Sequence, residues 1–476
     1  MYGNRDCHLF RNSSHHLSSA TFLTEGGEVA EAIMSSNMAK LPLMRHIVKR
    51  GLASAAPRAL ESDLPIQTSV MANKIQVVSL ENSSPIVRVA VQIKAGSRYE
   101  TPENLGAAHV LRSACGLTTK GLSTFAITRL IQERGANLWA VNDRDSISYI
   151  LECYVQSLEP CLKVLTSVTT EQLFQPWELA ENLSRVKYEL ALVPPQARVL
   201  DMLHGAAYRT GLGNSLFIPK YLLGSQGTET LRHFVENTFL GSRTVISTSG
   251  LSHGAAKAFA ERISFPEGSG SGLGTTSQYY GGELRKRGKG MAHIAIAADG
   301  AGINQKEALA FGILQHALGA GARVKYGTGA GSLAKLVSEA AAGEPASVSA
   351  LNISHQDAGL FGVVISCEPK VAGKVTEAAM KALKAGNVSE EAIKRGKSGL
   401  KAAVLLAAEN TSILTQDIGQ QALLKGSVDS TGAVAAAIDS VSSSDVNNAA
   451  RRVASGKLSM AALGDISNVP FIDQLK

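Results

Sequence analysis

From residue 65 onward the chain alternates between β-branched runs of period two and longer stretches whose apolar positions recur at helical spacing. Residues 75–80 and 86–94 read as strands, and the turn-forming text between them, Asn82 to Pro85, predicts a hairpin. Residues 105–115 and 125–134 carry helical spacing, 146–154 return to strand, and amphipathic stretches fill 158–208. A strand over 243–249 and a helix over 255–262 follow. Residues 266–278, PEGSGSGLGTTSQ, are rich in Gly and Ser with one charge, the composition of a flexible linker.

Beyond that segment the pattern restarts. VRVAVQIKAGS (87–97) has a counterpart in MAHIAIAADGAG (291–302), and both lead into Ala- and Leu-rich helical text. The strand at 146–154 is matched by one at 359–368, itself preceded by a strand at 348–354 and followed by helices through about residue 426. The expectation is an α+β fold of two homologous domains, with helices packed on mostly antiparallel sheets. The boundaries fall at 61–265 and 279–476 with the linker at 266–278, and the halves close as a clamshell around a central cavity.

Composition narrows the function classes. With 45% hydrophobic and 18% charged residues the chain can build large cores, and no window approaches the roughly 18 apolar residues of a membrane-spanning helix. The net charge of +7 is unevenly placed. Residues 38–60 hold five bases and no acid, residues 1–37 hold two bases against four acids, and the remainder balances 40 against 36. No basic block with interleaved aromatics appears, so nucleic acid is not an expected partner. Cys7, Cys115, Cys153, Cys161 and Cys367 form no C-x-x-C pair, which fits a reducing compartment.

The basic segment MAKLPLMRHIVKRGLASAAPRA, starting at Met38, sets Leu41, Met44 and Val48 on one helical face and Arg45 and Lys49 on another. Residues 38–60 are therefore expected to be a mitochondrial presequence, with Met38 the working start and residues 1–37 a non-native or disordered extension.

The text that carries chemistry is AGSRYE (95–100) followed by NLGAAHVLRSACGLTTKG (104–121). Together with the two-half plan over residues 65–476, it resembles the pitrilysin-like family, which includes the mitochondrial processing peptidase and the core proteins of ubiquinol-cytochrome c reductase. Active members carry the inverted zinc motif H-x-x-E-H, with a glutamate that activates water and a distant glutamate as a further ligand. Against that motif this chain keeps His109, but Arg112 stands at the general base and Ser113 at the second histidine. Glu189, in WELAENLSRVKYEL, falls where the distal carboxylate is expected. Two ligands do not hold a catalytic zinc, and arginine stays protonated at any physiological pH. A guanidinium about 4 Å from a dication would add roughly 8 kcal/mol of repulsion at an effective dielectric near 20. Arg112 is instead expected to fill the old metal pocket and pair with Glu189.

Other candidates carry less. GAGARVKYGTGAG (319–331) lacks a phosphate-binding signature and reads as a mobile loop, although it is similar to a glycine-rich loop in the processing peptidase's non-catalytic subunit. His204, His233, His253, His293, His316 and His355 make no metal pattern along the chain. No catalytic residue, cofactor or metal is assigned.

The passages LTTKG, FAITR, FVENTF, QYYGGELR (278–285) and HALGAGARVKYG (316–327) resemble the core-protein branch of the family. That resemblance implies a non-catalytic structural subunit of the respiratory complex. It would pair with core protein 1, neighbour cytochrome b, cytochrome c1 and the Rieske subunit within a dimeric complex, and sit peripherally on the matrix side of the mitochondrial inner membrane. The alternative is a substrate-binding, non-catalytic subunit of a mitochondrial processing metallopeptidase.

Overall fold

A computed structural model describes residues 65–82, 84–266, 268, 276–321 and 331–475. The presequence at 38–60, the extension at 1–37, most of the linker and most of the glycine-rich run at 319–331 lie outside the described residues.

The first half builds a six-stranded sheet from β1 (Ile66–Val70), β2 (Gln76–Leu80), β3 (Ile86–Ile93), β4 (Asn137–Asn142), β5 (Ile147–Tyr154) and β6 (Thr244–Ser249), in the order β1-β2-β6-β3-β5-β4. Its helices are α1 (Ala107–Ser113), α2 (Thr124–Glu133), α3 (Leu158–Thr170), α4 (Pro176–Leu192), α5 (Pro195–Ala207), α6 (Thr228–Thr238) and α7 (His253–Arg262). The second half builds a five-stranded sheet from β7 (Glu283–Arg287), β8 (Ala292–Asp299), β9 (Ala346–Ser354), β10 (Gly359–Cys367) and β11 (Leu458–Gly464), in the order β7-β11-β8-β10-β9. Around it stand α8 (Ala308–Leu318), α9 (Ser332–Ala341), α10 (Ala372–Lys384), α11 (Glu390–Glu409), α12 (Thr411–Lys425), α13 (Thr431–Ser440) and α14 (Ser443–Ser455). Each sheet contains one parallel pair, β2 with β6 and β7 with β11, and every other pairing is antiparallel. The α+β plan with mostly antiparallel sheets is borne out.

The hairpin expected between residues 75–80 and 86–94 does not form. β6 lies between the two strands, parallel to β2 and antiparallel to β3. Turn chemistry reads only local chain, whereas all six positions of β6 are buried and demand neighbours on both sides. The segment after Leu80 instead crosses the end of β6, where Gly250 N–H donates to Leu80 O at 3.1 Å and Asn82 Nδ2 donates to Ser249 Oγ at 3.1 Å. The helices also continue past residue 426, through α13 and α14, the latter opened by a capping box between Ser442 and Asp445.

The halves are laced together by exchanged helices. α5 leaves the first half and covers the second sheet, setting Val199, Leu203 and Ala207 against Ala295, Ala297, Leu360 and Ala461. In return α12 covers the first sheet, setting Ile418, Ala422 and Leu423 against Val78, Leu80 and Val245. Each sheet thus has its second face sealed by the other half, at about 2 kcal/mol for each large aliphatic side chain removed from water. The expected clamshell did not include this exchange.

Candidate functional site

α1 carries the motif residues, and its entry is fixed by backbone needs. Gly106 begins the helix at φ +87, where a Cβ would stand 2.6 Å from the Ile218 Cα. Only glycine fits that approach. No side chain caps α1 at that position; buried Glu100 reaches over and accepts from Gly106 N–H at 2.8 Å and Ala108 N–H at 2.9 Å. Burial pushes the Glu100 carboxyl up to about 8, against the pull of those two N–H groups. α4 starts with Pro176 in its first turn, where a missing N–H costs nothing, and lies alongside α1.

His109, Arg112, Ser113 and Glu189 do converge between these helices. Arg112 forms an ion pair with Glu189 Oε2, and Arg185 reaches Glu189 Oε1 at 3.1 Å. His109 is 2% exposed, and its Nε2 lies 3.7 Å from Glu189 Oε2. Its Nδ1 faces the Ile218 N–H at 3.3 Å, so Nδ1 accepts and the ring proton sits on Nε2, toward the carboxylate. Phe217 packs edge-on against the ring at 5.9 Å. Ser113 Oγ donates to Asn182 Oδ1 at 3.1 Å.

The electrostatics follow from this packing. Burial works against the Glu189 charge, but His109, Arg112 and Arg185 together outweigh it and hold the carboxyl at about 2. Burial pushes His109 below its ordinary value; Glu189 opposes that shift and the Arg112 charge adds to it. The result is a neutral imidazole and a carboxylate gripped by two guanidinium groups. Among the described residues, no group of three or more His, Cys, Asp and Glu side chains is placed to hold a metal ion.

Arg185 and Asn182 were not singled out from the sequence. Both lie on the α4 face that presents Glu189, at i−4 and i−7, so helical spacing alone could have found them. The Ile218 N–H that fixes the His109 tautomer lies 109 residues away, and no sequence signal marks it.

Residues 76–220 match Insulinase (Peptidase family M16), and residues 228–400 match the Peptidase M16 inactive domain. The chain belongs to peptidase family M16. Within it, the chain is 38% identical over 431 residues to cytochrome b-c1 complex subunit 2, mitochondrial, of Homo sapiens, an alignment spanning 89% of this chain and 95% of that protein. It is 29% identical over 428 residues to the probable mitochondrial-processing peptidase subunit alpha-1 of Arabidopsis thaliana, spanning 86% and 84% of the two chains. A chain of Complex III2 from Candida albicans, Inz-5 bound, shares the fold with a TM-score of 0.76 at 20% identity, covering 86% of this chain and 99% of that one.

Proposed function

We propose that the chain serves as a non-catalytic core subunit, the counterpart of subunit 2, of the mitochondrial ubiquinol-cytochrome c reductase. It contributes to assembly and stability of the complex that passes electrons from ubiquinol to cytochrome c. The observation that carries this reading is 38% identity along 95% of human cytochrome b-c1 complex subunit 2. Processing-peptidase alpha subunits are less similar, at 27% to 29%, which disfavours the alternative of a substrate-binding peptidase subunit. Core protein 1 is its direct partner, with cytochrome b, cytochrome c1 and the Rieske subunit in the same dimeric assembly. It lies peripherally on the matrix face of the inner membrane, and no described helix is long and apolar enough to cross a bilayer.

In this reading the peptidase motif is degenerate, His109-x-x-Arg112-Ser113, and the chain is not an enzyme. A positioned general base contributes roughly 10²- to 10⁴-fold in rate, and a guanidinium cannot supply it. The Arg112–Glu189 ion pair supports this, because the cation occupies the carboxylate that a zinc ion would need. Residues 38–60 act as the import presequence, and the domains divide at 61–265, 266–278 and 279–476.

Depleting the chain from mitochondria should leave the reductase unassembled, and the purified chain with added zinc should not cleave a presequence peptide. Chelator-sensitive cleavage by the purified chain would overturn the non-catalytic reading. An intact, active reductase lacking the chain would overturn the structural one.

A further inference from the structure

Where the exchanged α5 meets the second half, two buried histidines from opposite halves touch. His204, on α5, is 3% exposed; His355, in the turn between β9 and β10, is 4% exposed. Their Nε2 atoms lie 3.2 Å apart with the rings inclined at 76°. The outer ring nitrogens are also engaged. His204 Nδ1 lies 2.8 Å from the carbonyl of Leu200, and His355 Nδ1 lies 2.9 Å from Asp145 Oδ2.

Counting protons along this chain gives a definite answer. A backbone carbonyl only accepts, so His204 Nδ1 must carry a proton. Asp145 is held ionised: burial opposes its charge, but His355 and Arg98 outweigh it and lower its carboxyl below the ordinary range. His355 Nδ1 must therefore carry a proton as well. A 3.2 Å contact between the two Nε2 atoms requires a third, since two facing lone pairs would repel. Three protons on two imidazoles make one positive charge.

The surrounding charges call for that extra one. Arg98 pairs with Asp145 at 3.1 Å and with Asp357 at 2.6 Å, and Arg144 pairs with Asp201 at 2.6 Å. Two arginines against three aspartates leave a net charge of −1, which a shared proton on the histidine pair neutralises. Half-exposed Lys94 lies further out, near Asp145, and Tyr208 on the α5 side stays a neutral phenol donating to Gly359 O at 3.1 Å. Arg144 and burial keep His204 well below its ordinary value, so the extra proton resides on His355.

We propose that His204 and His355 form a proton-dependent latch between the two halves, in which one buried proton on His355 bridges Asp145 of the first half and His204 of the exchanged helix. The folded chain then binds a proton that the unfolded chain releases near neutrality, so the joint is firm in mildly acid solution and loosens as pH rises. This goes beyond the structural role proposed above and does not depend on it.

The test uses the full-length chain. Its melting temperature should fall by roughly 2 °C per pH unit above neutrality, the effect of one linked proton on a chain of this size. His355→Gln should flatten that slope. Because this variant can fail to fold, C2–H exchange of individual histidines, followed by mass spectrometry against pH, reads the unaltered protein. His355 should stay protonated to higher pH than exposed His233, and His204 should stay neutral throughout. An unchanged slope in His355→Gln, or a His355 that loses its proton at or below the pH at which His233 does, would overturn the latch.

Discussion

Charge joins α1 to α4 in the first half, where Arg112 and Arg185 both grip Glu189 and Ser113 bonds to Asn182. The corresponding helices of the second half, α8 and α11, meet through small residues. A Cβ on Gly396 would stand 2.7 Å from Ile313 O, and one on Gly312 would stand 3.2 Å from the Leu400 side chain. The exchanged helices differ in the same sense. α12 meets a partly polar face of the first sheet, with Gln92 donating to Gln416 O at 3.0 Å and Arg88 bonding to Thr411. α5 meets Ala295, Ala297, Leu360 and Ala461. One plan is therefore sealed twice by different physics, and the two halves should fail under different insults: the first to loss of charge or acid, the second to added volume.

Adding volume to the second half should have the largest effect. Gly396→Leu forces a branched side chain between backbones that already touch, so it should destabilise by about 3 kcal/mol, with Gly396→Ala costing less. The measurement is the denaturant midpoint of the full chain. Midpoints unchanged in both variants would mean that α8 and α11 do not pack this closely, and the contrast with the first half would be lost.

Arg112→Met addresses the other side of the comparison, keeping the side-chain length while removing one cation from Glu189. Arg112 is 24% exposed and Arg185 remains, so the expected loss is about 1–2 kcal/mol at neutral pH. The sign with pH is fixed by Glu189, whose carboxyl is depressed from its ordinary 4.5 to about 2. Stabilisation from such a group is complete above 4.5 and is lost as pH falls toward 2. The gap between native and variant midpoints should therefore close in acid. A variant equal to the native chain at neutral pH would show that solvent screening cancels the pair.

The sequence made some of this visible for definite reasons. The motif text placed His109, Arg112 and Ser113 on one helix, and the length of the intervening chain placed Glu189 opposite, so the ion pair could be anticipated. Central strands such as 86–93 and 359–367 announced themselves as unbroken apolar runs. Edge strands did not: β4 reads NLWAVN and β7 reads ELRKR, polar text that satisfies an exposed edge and hides the period-two signal. The exchange of α5 and α12 was also invisible, because an apolar stripe shows that a helix is covered without saying whose sheet covers it. The same limit applies to His204 and His355, ordinary core histidines along the chain until the exchange brings them together across 151 residues.

The smallest effect is also the sharpest discriminator, because it turns on sign. Both exchanged helices contain an interior glycine, and replacing glycine by alanine inside a helix contributes about 1 kcal/mol in propensity wherever there is room. At Gly205 of α5 there is room: the nearest atom to an added Cβ is the flexible Leu284 Cδ1 at 3.3 Å. At Gly419 of α12 there is not. The Cβ would stand 2.6 Å from Ser247 Oγ and 2.8 Å from Gln92 Nε2. The serine hydroxyl can rotate away, but Gln92 is buried and tied to the helix through Gln416 O, so the clash must be met by moving α12 off the sheet. Overpacking of this kind costs about 1–3 kcal/mol and exceeds the propensity gain. Gly205→Ala should therefore raise the denaturant midpoint slightly and Gly419→Ala should lower it. If both shift in the same direction, the two exchanged helices are seated alike, and the polar seat of α12 does not constrain its distance from the sheet.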